Sequence, residues 1–418
     1  MVLLFIFFLV LFLGYLKNKS LAWILVIIQL LSAGGVFFMG KDLNMENLTD
    51  YAYVLLSCVL LFLIISPWKN YYGVQEFVVP NSQKLKNFTN FLIIVNSIAF
   101  VILSIITYIV QSTVVDINKF KYSEGVGADF IASHLPFPNV FFSLAIMLSY
   151  FGYFILPLHF YYLYKKRFLL SLVCFILSLN IMLVGLTYFS RAAVLQYVFI
   201  YLFMLYLHYN IYNKFIKRNI KIGMIITSVV AVMYFINVSV LRFQEDTSLA
   251  KSYSKTIPVD AVTQDPLTYS FLDYMSQGYL NGFEVLKIYK GEGFNGTLTF
   301  EKVIGLISND SNATYNRLKY RQKLWPREYS YSFNGFPAYA VYDYGILGSI
   351  LVCLLYFFLI NKLKPRNDML DLRNVFIIVV LIQIPLMSIF YSEIGGSIIA
   401  ILLCIPVWIY FKFNIKNA

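Results

Sequence analysis

Charge is scarce in this chain of 418 residues. Asp, Glu, Lys and Arg together make up 13% of it, where a soluble domain carries about 25%. That shortage excludes an ordinary water-soluble globule, because too little polar surface is left to cover one of this size. Cysteine is also scarce: Cys58, Cys174, Cys353 and Cys404 each stand alone in an apolar run with no C-x-x-C spacing. A disulfide framework and a structural zinc site are therefore not expected. Histidine occurs three times, and no HExxH, Walker A, EF-hand or GxSxG pattern is present. No metal and no cofactor is expected. The one match to G-x-G-x-x-G, Gly291 to Gly296, follows no strand and opens no clear helix, so it reads as a flexible turn and not a nucleotide cradle.

What is abundant is apolar. Hydrophobic residues make up 60% of the chain and aromatics 18%, with a mean hydropathy of +0.71. Runs near the length of a bilayer crossing recur at about 1–16, 20–39, 51–68, 88–110, 137–164, 168–189, 192–212, 220–241, 336–360, 374–391 and 394–411. This predicts an all-α polytopic membrane helix bundle of about eleven transmembrane helices. The chain falls into three stretches: 1–241 with eight helices, a large external loop at 242–333, and 334–418 with three more. Met1 to Leu16 has no basic stretch before it and no small-residue cleavage site, so it reads as a first spanning helix and not a cleaved signal peptide.

The net charge of +12 would suit nucleic acid, but the distribution excludes it. Lys17, Lys19, Lys69, Lys84, Lys86, Lys165 to Arg167, Lys214, Lys217, Arg218, Lys221, Lys362, Lys364, Arg366, Arg373, Lys412 and Lys416 fall in alternate short connections or at the C-terminus. They account for over half of the 33 cations, and the intervening short loops hold few. Under the positive-inside rule the cation-rich side is cytoplasmic, which puts the N-terminus and the long loop outside and the C-terminus inside.

The long loop holds two features. Leu267, Phe271, Leu272, Met275, Tyr279, Leu280, Phe283 and Leu286 recur at helical spacing, which predicts one or two amphipathic helices lying at the outer membrane surface. Further on, Arg317, Lys319, Arg321, Lys323 and Arg327 form a run of five cations with no carboxylate among them. Guanidinium forks suit a diphosphate, and the same cluster also suits lipid phosphates. Arg191 sits in a connection of almost no length between two apolar runs, where a charge is a site candidate by default. Arg242 directly follows the eighth helix. Two carboxylates lie at outer helix ends: Asp343, in Tyr342-Asp343-Tyr344-Gly345, and Glu393, in a tight turn before Gly395-Gly396. Either can accept a proton or pair with an arginine.

These features together resemble the O-antigen (oligosaccharide repeat unit) polymerases of the Wzy type. The likeness rests on Tyr188-Phe189-Ser190-Arg191 before an apolar helix, the loop opening at Arg242, and its exit through Asn334-Gly335-Phe336-Pro337 into Asp343-Tyr344-Gly345-Ile346-Leu347-Gly348. The resemblance implies a GT-C-like membrane glycosyltransferase of the bacterial cytoplasmic (inner) membrane, acting in O-antigen or capsular polysaccharide assembly. Such an enzyme transfers a growing undecaprenyl-diphosphate-linked glycan onto a fresh lipid-linked repeat unit, with inversion. It implies lipid-linked donor and acceptor as partners, a lipid bilayer around the protein, and a chain-length regulator beside it. Arg191, Arg242, Arg317, Lys319, Arg321 and Arg327 would bind substrate, as would Trp325 and Asn334. Asp343 or Glu393 would position or deprotonate the acceptor hydroxyl. An O-antigen ligase of the same architecture is expected to use a histidine in the external loop, and 242–333 has none. A transporter of lipid-linked oligosaccharides is expected to carry charge at mid-bilayer, where this chain has almost none.

Overall fold

The computed structural model describes residues 2–412 apart from 17–19, 42–44, 46, 80, 115–116, 118–119, 121–130, 132, 135, 246–256, 309–321 and 327–332. It is a helical protein. In chain order the helices are α1 Val2–Leu16, α2 Leu21–Phe38, α3 Leu48–Ile65, α4 Ser82–Thr113, α5 Asn139–Ser149, α6 Gly152–Tyr164, α7 Phe168–Ser178, α8 Asn180–Thr187, α9 Arg191–His208 and α10 Lys214–Glu245. There follow α11 Pro266–Lys287, α12 Thr297–Ser308, α13 Gly335–Leu363, α14 Leu372–Leu381, α15 Gln383–Met387, the single turn α16 Glu393–Gly396, and α17 Ile398–Lys412. Two three-residue strands, β1 Glu76–Val78 and β2 Met369–Asp371, pair in parallel with Phe77 opposite Leu370.

The helices form because the apolar runs contain few residues that compete with the helical ladder. At the starts of α4 and α11 a side chain satisfies one of the first free amides. Asn81 accepts from the Lys84 N–H at 2.9 Å to open α4, and Asp265 accepts from the Thr268 N–H at 2.8 Å to open α11. Among the described residues, six helices are long and apolar enough to cross a membrane. The pair α5 and α6, bent by 48° at a short break, makes up to seven. The protein is thus an all-α, multi-pass membrane protein. The helix α13 is interrupted at Gly345, whose φ of 71° and ψ of 174° only glycine adopts readily.

Two compact units emerge. The first joins Met1–Tyr72, Ser248–Lys364 and Ile382–Ile399; the second joins Gly73–Thr247, Pro365–Leu381 and Ala400–Ala418. Within the first unit, one end gathers the start of α2 and the ends of α3 and α13. The Leu21 N–H donates to the Tyr71 carbonyl, the Trp68 indole to the Tyr356 hydroxyl at 3.0 Å, and the Tyr71 hydroxyl to the Ile360 carbonyl at 2.7 Å. Within the second, the β1–β2 pair sits where α9 ends, since the Val74 N–H donates to the Leu207 carbonyl. The Lys84 ammonium there donates to the Tyr410 carbonyl at 2.9 Å, joining the start of α4 to the end of α17.

Candidate functional site

From Ile257 on, the described part of the long loop belongs to the packing of the first unit. α11 packs beside α2, with contacts that run in antiparallel order. The Val262 N–H donates to the Phe38 carbonyl at the end of α2. Deeper along it, the Ser32 hydroxyl donates to the Met275 carbonyl at 2.5 Å, and halfway along it the Tyr279 hydroxyl donates to the Gln29 carboxamide. Gln29 in turn donates to the Ser388 hydroxyl at 2.8 Å. Small residues let the backbones approach on two sides: toward α2, a Cβ on Gly35 would lie 2.3 Å from the Ser276 hydroxyl oxygen, and on another side Gly278 and Gly282 meet the end of α15 and the start of α13. A Cβ on Gly278 would lie 1.7 Å from the Ile389 carbonyl oxygen, and one on Gly282 2.2 Å from that of Asn334. Gly278-x-x-x-Gly282 is the small-residue spacing that lets backbones meet in membranes. It was legible in the sequence and points to docking, where apolar periodicity alone points to an interfacial helix.

The segment before α12 closes onto the start of α13. The carbonyls of Tyr342 and Asp343 accept from the N–H groups of Phe294 at 2.6 Å and Gly296 at 2.7 Å. The Gly291–Gly296 run is therefore a docked turn, fixed by two backbone hydrogen bonds, and not a flexible one. The Asp343 carboxylate, 3% exposed, then accepts from the Leu298 N–H at 3.0 Å, the Thr299 N–H at 2.9 Å and the Thr299 hydroxyl at 2.6 Å. The Thr299 hydroxyl also meets that of Tyr344.

Glu393 lies in a turn that also meets α12. It is 4% exposed and accepts from the Ser397 hydroxyl at 2.8 Å, which is also 3.0 Å from Gln383 Oε1. The same turn touches α12 closely: a Cβ on Gly395 would lie 2.7 Å from the Leu298 carbonyl oxygen, and the Lys302 ammonium donates to the Gly396 carbonyl. The Ser392 hydroxyl beside Glu393 is buried with no hydrogen-bond partner among the described residues. On the chain just before it, Tyr391 and Phe390 join Phe333 and Tyr274 in an aromatic group, with centroids 4.9 Å apart for Phe333 and Phe390 and 5.1 Å for Tyr274 and Phe333. Phe390 is buried, while the other three rings are half-buried.

Of the residues singled out from sequence, the structure thus brings Asp343 and Glu393 to one helix, α12. Arg191 belongs to the second unit. A tight turn with Phe189 at φ 49° delivers it, and the Ser190 hydroxyl caps α9 at the Ala193 N–H. Its guanidinium donates to the Ser239 hydroxyl at 2.6 Å and lies 4.9 Å from the centre of the Phe235 ring. Trp325 is not an open stacking surface. It is 1% exposed and packs edge-on to Phe294, Tyr339 and Tyr342 at 5.1 to 5.4 Å, because a ring of that size gains most from full burial. Asn334 is fully buried too, its carbonyl against Gly282, so it serves the docking of α11. Arg242 falls in α10 with its side chain outside the described residues, and Arg317, Lys319, Arg321 and Arg327 lie outside them altogether. Lys323 is exposed. Among the described residues no group of three or more His, Cys, Asp or Glu is placed to hold a metal ion. Thr299, Lys302, Ser392 and Ser397 had no signal in the sequence, since their relation to the carboxylates arises only in the fold.

No family model matches the chain, and neither characterised proteins nor solved structures gave a match.

Proposed function

We propose that the chain is a membrane glycosyltransferase of the repeat-unit polymerase kind, with Glu393 as the group that receives the acceptor's proton. The observation that carries this reading is the turn at 390–397. A buried carboxylate, an uncommitted buried hydroxyl at Ser392 and half-buried aromatic rings at Tyr274, Phe333 and Tyr391 meet there. Rings beside hydrogen-bonding groups suit a sugar, whose C–H faces stack while its hydroxyls bond. The site sits at the end of α13 away from Lys362, which under the positive-inside rule is the outer face.

In the proposed step an acceptor sugar hydroxyl gives its proton to Glu393, and its oxygen attacks the anomeric carbon of the donor. The carbon–oxygen bond to the lipid diphosphate breaks as the new glycosidic bond forms. The diphosphate leaves with the electron pair, its charge met by the loop cations Arg317, Lys319, Arg321 and Arg327. Attack opposite the leaving group inverts the anomeric centre. A positioned base contributes about 10²- to 10⁴-fold.

The test is elongation by purified protein in lipid vesicles, supplied with undecaprenyl-diphosphate-linked repeat units extracted from cells that lack the protein. We expect a ladder of products from the wild type, persisting in excess EDTA because cations of the chain neutralise the leaving group. Glu393→Gln is expected to elongate at least about 100-fold more slowly. A folded wild type that makes no ladder overturns the reading, as does a Glu393→Gln variant with wild-type rate.

A further inference from the structure

The two carboxylates beside α12 differ in what their oxygens face. A general base must aim a lone pair at the proton it takes. Both Asp343 oxygens are already aimed at α12, one at the Leu298 N–H and the other at the N–H and hydroxyl of Thr299. The arrangement is reciprocal. Non-helical Gly345 interrupts the ladder of α13, and the carbonyls of Tyr342 and Asp343 find their donors in Phe294 and Gly296. At the start of α12, amides that no earlier turn can satisfy find their acceptor in Asp343, and an anion is favoured at that end of a helix. Each element thus supplies what the other's terminus lacks. The residues of this clasp also touch the turn that carries Glu393: Leu298 and Thr299 abut Gly395, and Lys302, one turn further along, bonds the Gly396 carbonyl.

We propose that Asp343 and Thr299 are positioning residues, which clasp the start of α12 to the break in α13 and so hold α12 against the turn that carries Glu393. A catalytic role for Asp343 is not part of this assignment. Thr299 acts through its hydroxyl, which links the carboxylate to the Tyr344 phenol. The effect on turnover rests on the glycosyltransferase reading, whereas the clasp itself does not.

The experiment compares Thr299→Val, Thr299→Ser and Asp343→Asn in the full chain, reading amide exchange over 294–302 and the elongation assay together. We expect Thr299→Val to speed exchange of the Leu298 and Thr299 amides about tenfold and to lower the elongation rate by a similar factor at saturating acceptor, as loss of one net hydrogen bond implies. Thr299→Ser, which keeps the hydroxyl, should restore both to within about twofold. Asp343→Asn keeps an oxygen acceptor and loses basicity, so it should retain elongation within about tenfold of wild type while exchange rises. Unchanged exchange in Thr299→Val overturns the clasp. Asp343→Asn falling about 100-fold or more in elongation, with exchange unaltered, makes Asp343 a base instead. If Asp343→Asn does not fold, the Val and Ser pair at 299 decides alone. If the wild type does not elongate, the polymerase reading fails and the exchange data still decide the clasp.

Discussion

Asp343 and Glu393 both lie beside α12, and the proposals above give them different work. Asp343 accepts from two backbone N–H groups, a structural demand that a neutral side chain meets in part. Glu393 accepts from the Ser397 hydroxyl, a partner that can rotate. A third carboxylate, Asp265, shows the capping role at an exposed site, where it can be measured without touching the candidate chemistry. The Thr268 hydroxyl at 2.6 Å and the Thr268 N–H both donate to it, and these hydrogen bonds hold its carboxyl below the ordinary value. The folded group therefore loses its proton at lower pH than the unfolded one. Its stabilisation is present above about pH 4 and is lost as pH falls through the folded value. Asp265→Ala should cost about 1 kcal/mol at pH 7, and the difference from wild type should shrink below pH 4. Asp265→Asn, a cap of similar quality, should keep the stability and lose the pH dependence. Thermal melts of the detergent-solubilised protein between pH 3 and 7 check this, and a pH-independent difference between Asp265→Ala and wild type would count against it.

At the scale of elements, the packing of α11 depends on two hydrogen atoms. Gly278 and Gly282 face main-chain carbonyls, and neither Ile389 nor Asn334 can yield without moving its segment. Gly278→Ala and Gly282→Ala should each destabilise by about 2 kcal/mol or more, as overpacking does. Gly223→Ala in α10, where a Cβ meets nothing within 4 Å, should be neutral or stabilising by up to about 1 kcal/mol. Melting temperatures of the three variants measure this, and equal shifts would mean that α11 is not docked through its glycine face. The same helix marks how much was legible beforehand. Each apolar run does carry a helix, because a run near twenty residues with few polar atoms has little other way to satisfy its backbone. The interruption at Gly345 and the bend between α5 and α6 were not legible, since a run of apolar letters hides a break. The site was legible in pieces. Tyr342-Asp343-Tyr344-Gly345 and Glu393 drew notice as polar residues at helix ends, but the partners of Asp343 lie 44 and 45 positions away in sequence. No local pattern encodes such a pairing, and the burial of Trp325 and Asn334 is likewise a property of the fold.

At the scale of the whole molecule, four of the cations that define one side in sequence lie over aromatic rings. In the second unit Lys84 lies over Tyr410 at 5.5 Å, Lys165 over Tyr164 at 4.9 Å, Lys217 over Tyr209 at 4.9 Å and Lys412 over Trp408 at 4.4 Å. These pairs occur at the starts of α4 and α10 and the ends of α6 and α17, as alternating crossings require. A lysine beside an aromatic ring at a helix end suits the membrane interface, where the stem lies along apolar surface and the ammonium reaches water. In the first unit the ends of α3 and α13, with Lys69 and Lys362, come together through Asn70 and Asn361 at 2.9 Å. If that cation-rich side is cytoplasmic, the loop ahead of α11 faces outward. All four native cysteines are buried, so an added one can be followed without background. Val259→Cys, at a position 92% exposed, should react with a membrane-impermeant maleimide in intact cells that express the protein. Arg218→Cys, exposed at the start of α10, should react only after the cells are opened. The reverse pattern would invert the topology and remove Glu393 from the outer face, and with it the placement on which the glycosyltransferase reading depends.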